Sequence, residues 1–523
     1  MRLRWVRENW PLVVAIALLW LSLGVILHQS LSVTGGSLVY GLDDAYIHMA
    51  VARHLAQDGI WGVTKYGFSS SQSSLLWPLL LALPYLLVGP SEIVPLAFNI
   101  VFGTLLVALM FLLLKRAGLP NAFILLVLAE LIVFLPVPWL AFTGMEHLLQ
   151  AVMDLAFVYL CIQALTRQEQ PRANAVLMLA LTPLITGIRY EGLFLIAAAI
   201  LLFLLRRRFA LAIALAGLAA APLAAYGVVA ISHGGYWLPN SVLLKSAYLD
   251  LPGEVGGLTL AARSRLWYLV VPCVLLYLWG LRARRGIWQT EQLAVLIFLL
   301  VFAMQALLAK VGLSRYDAYL VALGLYALAV SVFAALRSIS ISEATRVRAA
   351  LLAMGVLLAL RPGQWGLSTM ILSHVTVADI YQQQYQMGRF YRQYYQGQAV
   401  AANDIGAVSF LADTKLLDLW GLANTEVTTA RLNRTYNTAT IRRLARAKGV
   451  NVAVVYWTWF TRFGGLPREW VMVGKWRIPA NVICAEEIVT FYAVDPSEAP
   501  MLRRHLLDFS SELPPQVEQL VFQ

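Results

Sequence analysis

Two adjacent carboxylates, Asp43 and Asp44, stand at the head of "DDAYIHMAVARHLAQDG", just beyond the first long apolar run of the chain. A carboxylate within about 2.6–3.2 Å of an acceptor hydroxyl can take its proton as a new bond forms. A carboxylate in the first turn of a helix can equally serve as a cap, complementing the positive end of the dipole. Four further clusters follow: Glu146 in "TGMEH", Arg189 and Glu191 in "GIRYEG", Asn240 and Lys245 in "YWLPNSVLLKS", and Arg315 and Asp317 in "LSRYDAY". Each borders an apolar run, and ionisable groups at membrane depth are costly and mark function. His48 lies on the same helical stretch as the Asp pair, whereas His54, His147 and His233 have no zinc-type spacing.

The elements that must position these groups are membrane helices. Of 523 residues 60% are hydrophobic and only 13% are charged, far from a soluble domain. The formal charge of +12 does not point to nucleic acid, because the arginines cluster at the ends of apolar runs, where charge sets topology. Cys161, Cys273 and Cys484 offer neither a disulfide framework nor a metal-binding CxxC.

Arg2, Arg4 and Arg7 precede the first apolar run and predict an uncleaved signal anchor with a cytoplasmic N-terminus. Placing Lys115-Arg116, Arg167 to Arg172, Arg206-Arg207-Arg208, Arg282 to Arg285 and Arg337 to Arg348 all inside gives about eleven spans. They centre near residues 19, 104, 129, 155, 181, 198, 220, 273, 300, 326 and 354. The apolar stretch Ser74 to Gly89, broken by Pro78 and Pro84, is read as a juxtamembrane or re-entrant helix. The expected architecture is thus an α-helical polytopic membrane domain over 1–361, with a first outer loop over about 29–92 that carries juxtamembrane helices. An extracytoplasmic α/β domain follows over 362–523. In it, "QAVAANDIGAVSFLA" and "VNVAVVYWTWF" read as strands, Ile441 to Lys448 as a basic amphipathic helix, and Asp404 and Asp418 as turn caps.

The motifs "DDAYI", "SSLLW", "GME", "RYEG" and "LPNSVLLKS", in this order over roughly the first 250 residues, resemble the C-type glycosyltransferase superfamily. The nearest flavour is the bacterial branch with "DDAFI/DDAYI", "YTSPLW", "SGLE", "RPEG" and "PNTxYAK" patterns, which includes terminal arabinofuranosyltransferases. Here "TGME", "RYEG" and "NSVLLK" keep the charged and amide positions while their neighbours vary.

The resemblance implies an inverting enzyme of the cytoplasmic membrane. Such an enzyme moves a sugar from a polyprenyl-phosphate donor to a glycan or lipid-linked acceptor at the outer face, arabinofuranosyl transfer in cell-envelope glycan assembly being one case. It implies Asp44 or Asp43 as the base. It also makes Lys245, Arg189 and Arg315 the candidate cations for the leaving phosphate, and His48, Glu146, Glu191 and Asn240 substrate contacts. Arg189 paired structurally with Glu191 or Glu146 is the alternative for that cation. The acidic residues are oxygen ligands suited to Mg²⁺ or Mn²⁺, but relatives using monophosphate carriers usually need no metal, so no cofactor is expected. A multispan transporter of a polar or lipid-linked solute is the competing reading; it is disfavoured by the large first outer loop and the absence of paired halves.

The sidedness of the basic clusters predicts that a tag after Gln523 is labelled by an impermeant reagent from outside, whereas a tag before Met1 is not. Labelling of Gln523 only after permeabilisation would reverse the assignment.

Overall fold

The computed structural model describes residues 2–167, 171–247, 264–309 and 315–523. The chain forms two compact units, one of Met1–Leu27, Leu96–Ala224 and Leu249–Leu372, the other of His28–Pro95, Ala225–Tyr248 and Ser373–Gln523. This division differs from a cut at 361, because the first outer loop belongs with the C-terminal residues. The helix Asp43–Asp58 explains the grouping: Ala45, Tyr46, Ile47, His48, Met49, Ala50, Val51 and Ala52 are all buried. It is a core element of its unit, not an amphipathic surface helix.

Among the described residues six helices are long and apolar enough to cross a membrane: Glu8–Val33, Ile93–Arg116, His147–Thr166, Phe209–Ser232, Thr290–Leu308 and Ala318–Arg337. The other expected crossings correspond to Asn121–Phe134, Arg172–Ile188, Gly192–Leu205, Trp267–Arg282 and Glu343–Ala359, of 14, 17, 14, 16 and 17 residues. At 1.5 Å per residue these rise about 21–26 Å, less than the ~30 Å of a hydrocarbon core. The expected juxtamembrane stretch is the helix Leu76–Val88, shorter again at 13 residues.

The basic clusters of the first unit meet. Arg206 and Arg208 donate to the carbonyls of Leu165 and Ala164 at 3.1 and 2.5 Å, and Arg208 also to that of Arg167 at 3.0 Å. Arg337 donates to the Gly118 carbonyl at 2.7 Å, and Arg285 to that of Ala334 at 3.0 Å. Arg206 stacks on Trp288, 4.0 Å from the ring centre. Guanidinium groups thereby satisfy carbonyls left over at helix ends and set positive charge against the negative ends of the dipoles. Topology signals scattered along the sequence become one connected layer.

The second unit holds a six-stranded sheet in the order β2-β1-β3-β5-β4-β6, with β1 Ala399–Ala402, β2 Lys415–Asp418, β3 Val452–Val455, β4 Val471–Arg477, β5 Ile488–Ala493 and β6 Glu518–Val521. β1 pairs in parallel with β2 and β3; the remaining pairings are antiparallel. Alternation along the strands feeds two cores. Val400, Val452 and Val454 pack with Phe390, Trp476, Phe491, Leu502 and Leu506, whereas Ala401, Ala453 and Val455 pack with Leu417, Ile441, Leu444 and Trp470. The two segments read as long strands each break after four strand residues: β1 leads into the helix Gly406–Leu411, and β3 into the 3₁₀ turn Trp457–Phe463. The basic helix runs over Thr438–Ala447, and Asn437 caps it by accepting from the Thr440 N–H at 3.0 Å.

Gly406 sits at the tightest join in this unit. A Cβ there would lie 2.0 Å from the Asp43 carbonyl oxygen and 2.7 Å from its Oδ2, and neither is the far end of a flexible chain. Gly406→Ala is expected to destabilise the unit by about 1–3 kcal/mol, read as a lowered thermal midpoint of the purified protein. A midpoint equal to wild type would show that the join is looser than the distances say.

Candidate functional site

The helix carrying the Asp pair begins where Leu42 is extended (φ −150°, ψ 135°) and ends at Gly59, whose φ of 69° suits the left-handed closing turn. Neither carboxylate is a side-chain cap of this helix. Asp43 instead reaches the start of Gly406–Leu411, its Oδ2 accepting from the Gly406 N–H at 2.6 Å and its Oδ1 from the Ala407 N–H at 2.8 Å. Capping is therefore correct as chemistry but applies to a distant helix.

Asp404 completes the cluster. It follows β1, and its Oδ2 accepts from Gln384 Nε2 at 2.8 Å and from the Tyr456 hydroxyl at 3.3 Å. Asp404 and Asp43 are neighbours close enough for each to act on the other's ionisation. Burial, then the charge of Asp404, pushes Asp43 well above the ordinary carboxylate range. Burial also raises Asp404, with the charge of Asp44 adding to it and the bonds from Asp43 and Gln384 opposing. Asp44 lies beside this pair, half-buried, about 100° further round the helix.

The Gln side chains come from a single π-helical turn, Tyr381–Tyr385. Its wider winding lets consecutive residues serve one cluster: Gln384 bonds Asp404, and Gln383 Oε1 accepts from Tyr456 at 2.5 Å. Asn403 Oδ1 accepts from the Tyr456 N–H at 3.0 Å, tying the carboxyl ends of β1 and β3 together.

Within the same unit His48 is buried, with Nε2 3.2 Å from Ser73 Oγ. Ser73 belongs to the Ser-rich turn before Leu76–Val88. That turn also receives Asn240, whose N–H donates to the Ser70 carbonyl at 2.8 Å, and Ser241, whose Oγ donates to that of Gln72 at 2.9 Å. The Asn240 side-chain amide is fully buried and makes no hydrogen bond. An unsatisfied buried amide costs about 1–3 kcal/mol and calls for a partner. Lys245 lies on the helix Asn240–Ala247, but its side chain is outside the described residues.

The first unit holds the other candidates. Arg189 donates from Nη1 to Glu146 at 2.7 Å, and from Nε and Nη2 to the two oxygens of Glu191 at 3.0 and 2.6 Å. Arg189 is 3% exposed and Glu146 0%, so this is a desolvated triad whose members hold one another in place. Arg189 and Arg315 each stand 5.0 Å from the centre of the Tyr316 ring, which meets His147 edge-on at 5.9 Å. Asp317 accepts from Gln305 at 3.3 Å. The candidate residues thus fall into two groups: Asp43, Asp44, His48 and Asn240 in one unit, Glu146, Arg189, Glu191 and Arg315 in the other.

Asp418 is the turn cap the sequence predicts, accepting from the N–H groups of Trp420, Gly421 and Ala423 at 2.7, 3.1 and 2.6 Å. Asp404 is not: it joins Asp43. The one sequence signal that distinguishes it is its position immediately after a buried parallel strand, where the carboxyl ends of strands carry ligand sites in open α/β sheets.

Residues 377–492 match a family described as a domain of unknown function (DUF8728). No curated protein matches the chain. Among solved structures, ArnT from Cupriavidus metallidurans bound to undecaprenyl phosphate is 13% identical, with a TM-score of 0.54, covering 93% of this chain and 98% of that one. The apo form of the same protein is also 13% identical, with a TM-score of 0.55, covering 94% of this chain and 99% of that one. The chain therefore has an ArnT-like fold over more than nine-tenths of its length.

Proposed function

We propose that this protein is an inverting glycosyltransferase of the cytoplasmic membrane. It takes a sugar from a polyprenyl-phosphate donor and passes it to a glycan or lipid-linked acceptor at the outer face, with the C-terminal domain on that side. Arabinofuranosyl transfer in cell-envelope assembly is the case its motifs resemble most. The ArnT-like fold supports this reading, and the undecaprenyl phosphate bound in one ArnT structure supports the class of carrier.

The observation that carries the proposal is the division of labour between neighbouring carboxylates. Asp43 has both oxygens engaged by backbone N–H groups, and Asp44 sits beside it, half-buried. Asp44 is the base: it takes the proton as the acceptor oxygen attacks the anomeric carbon. The bond from that carbon to the phosphate oxygen breaks, and polyprenyl phosphate leaves. Lys245 stabilises the negative charge gathering on the phosphate. Arg189 orients Glu146 and Glu191 rather than meeting the phosphate, since its donors are engaged by those carboxylates. Asn240 offers its amide, and His48 a ring nitrogen, to sugar hydroxyls. The reading involves no metal, and the two backbone N–H groups that donate to the Asp43 carboxylate suit that choice.

The decisive experiment incubates purified protein with polyprenyl-phosphate sugars and measures release of polyprenyl phosphate; solute flux into liposomes without such release would favour a transporter. Asp44→Asn is expected to lower turnover by about 10²–10⁴-fold while donor binding persists. Lys245→Ala is expected to weaken both binding and turnover, because a phosphate cation acts in ground and transition states. Normal transfer by Asp44→Asn would move the base elsewhere, to Glu146 or Glu191.

The carboxyl pair predicts a pH dependence. With both groups raised in the folded state, the fold binds more protons than the unfolded chain above the ordinary carboxylate value. The stabilisation is fully present below that value and is lost as pH rises through the folded pair's own titration. Asp404→Asn removes one of the two titrating groups and supplies an N–H donor to Asp43, so its thermal midpoint should decline less than that of wild type as pH rises above the ordinary carboxylate value. Parallel declines would show that the pair does not set this dependence.

A further inference from the structure

A cavity lies in the first unit, among the basic clusters, and none of its lining residues is one assigned to transfer. Its volume is about 1040 Å³, and Arg116, Arg167, Arg285 and Arg337 reach it from four separate helix ends or loops. Among its described lining residues the one carboxylate is Glu291, which already accepts from Arg285 at 2.8 Å. Three guanidinium groups are therefore in excess. Arg337 is fixed by its bond to the Gly118 carbonyl at 2.7 Å, and Arg116 stands 5.8 Å from the centre of the Tyr159 ring. The walls between them are mixed, with Leu113, Tyr159, Tyr326 and Phe333 on the apolar and aromatic part and Gln163, Asn174, Gln289 and Thr290 on the polar part.

Positive-inside topology requires arginines near this level but does not require them to converge on a cavity. A surplus of guanidinium groups around a concavity is an anion site, and planar donors match phosphate bidentately. Size and lining narrow the ligand. The volume is at the top of the roughly 300–1,000 Å³ range of small-molecule sites, too large for a bare inorganic anion. The mixed lining, polar and cationic on one part and apolar on another, suits a molecule with both a headgroup and a hydrocarbon part, and its position at the ends of membrane helices puts it level with headgroups, where basic pockets between helices take anionic lipids.

We propose that this cavity binds the phosphate headgroup of an anionic phospholipid, on the side of the protein that carries the basic clusters. Bound there, the lipid joins the helix ends Ile93–Arg116, His147–Thr166 and Ala318–Arg337 and neutralises the arginines they contribute. The site does not depend on the sugar-transfer reading and is tested without it.

The test is thermal unfolding of the purified full chain in detergent, titrated with phosphatidylglycerol or with phosphatidylcholine. Phosphatidylglycerol is expected to raise the midpoint saturably, with the apparent affinity falling at least roughly tenfold in the Arg116→Ala/Arg167→Ala double variant. The Arg116→Lys/Arg167→Lys variant keeps the topological charge but loses the bidentate fork. It should fold as wild type and bind phosphatidylglycerol with intermediate affinity. Equal stabilisation by phosphatidylcholine would overturn the proposal, as would unchanged affinity in the alanine variant. Displacement of phosphatidylglycerol by millimolar glycerol phosphate would make the occupant a soluble phosphate ester and overturn the lipid assignment.

Discussion

Both oxygens of one carboxylate, that of Asp43, are committed to backbone N–H groups 363 and 364 residues later in the chain. Much in the second unit depends on that bond pair. It fixes the helix Asp43–Asp58 against Gly406–Leu411, and it requires glycine at 406 because Asp43 occupies the space a Cβ would need. It also sets Asp43 beside Asp404, and burial together with that neighbouring charge raises the Asp43 carboxyl above its ordinary range. Ile47, Val51 and Val63 then close over Ala402 and Ile405, so an apolar seam seals the polar contact from water. An unpaired carboxylate at this depth would be strongly destabilising, which makes the cluster an all-or-none feature of the unit.

The membrane unit treats charge by the same rule with different partners. Glu146, Arg189 and Glu191 form a closed triad, and the basic residues near the other helix termini donate to carbonyls that the helices leave unsatisfied. Arginines of four segments face one cavity, and the buried amide of Asn240 makes no hydrogen bond among the described residues; the carboxyl of Glu130 and the amide of Asn99 are likewise buried without one.

The likeness to ArnT at 13% identity shows how little sequence the architecture demands. Apolar runs of the right length, arginines at alternate ends and a pleated two-sided sheet can be written in many ways.

The sequence by itself pointed to the membrane class and to the basic clusters that the fold brings together, because hydropathy and charge are local or additive properties. It also identified Asp418 as a cap, since that carboxylate bonds N–H groups within five residues of itself. It read "NDIGAVSFL" as strand, because a buried helix of six residues and a buried strand have similar composition. Only the tertiary structure separated Asp43 from Asp44. Both stand in the first turn of one helix with the same side chain. What distinguishes them is which one meets a backbone N–H pair hundreds of residues away, and no local rule carries that distance.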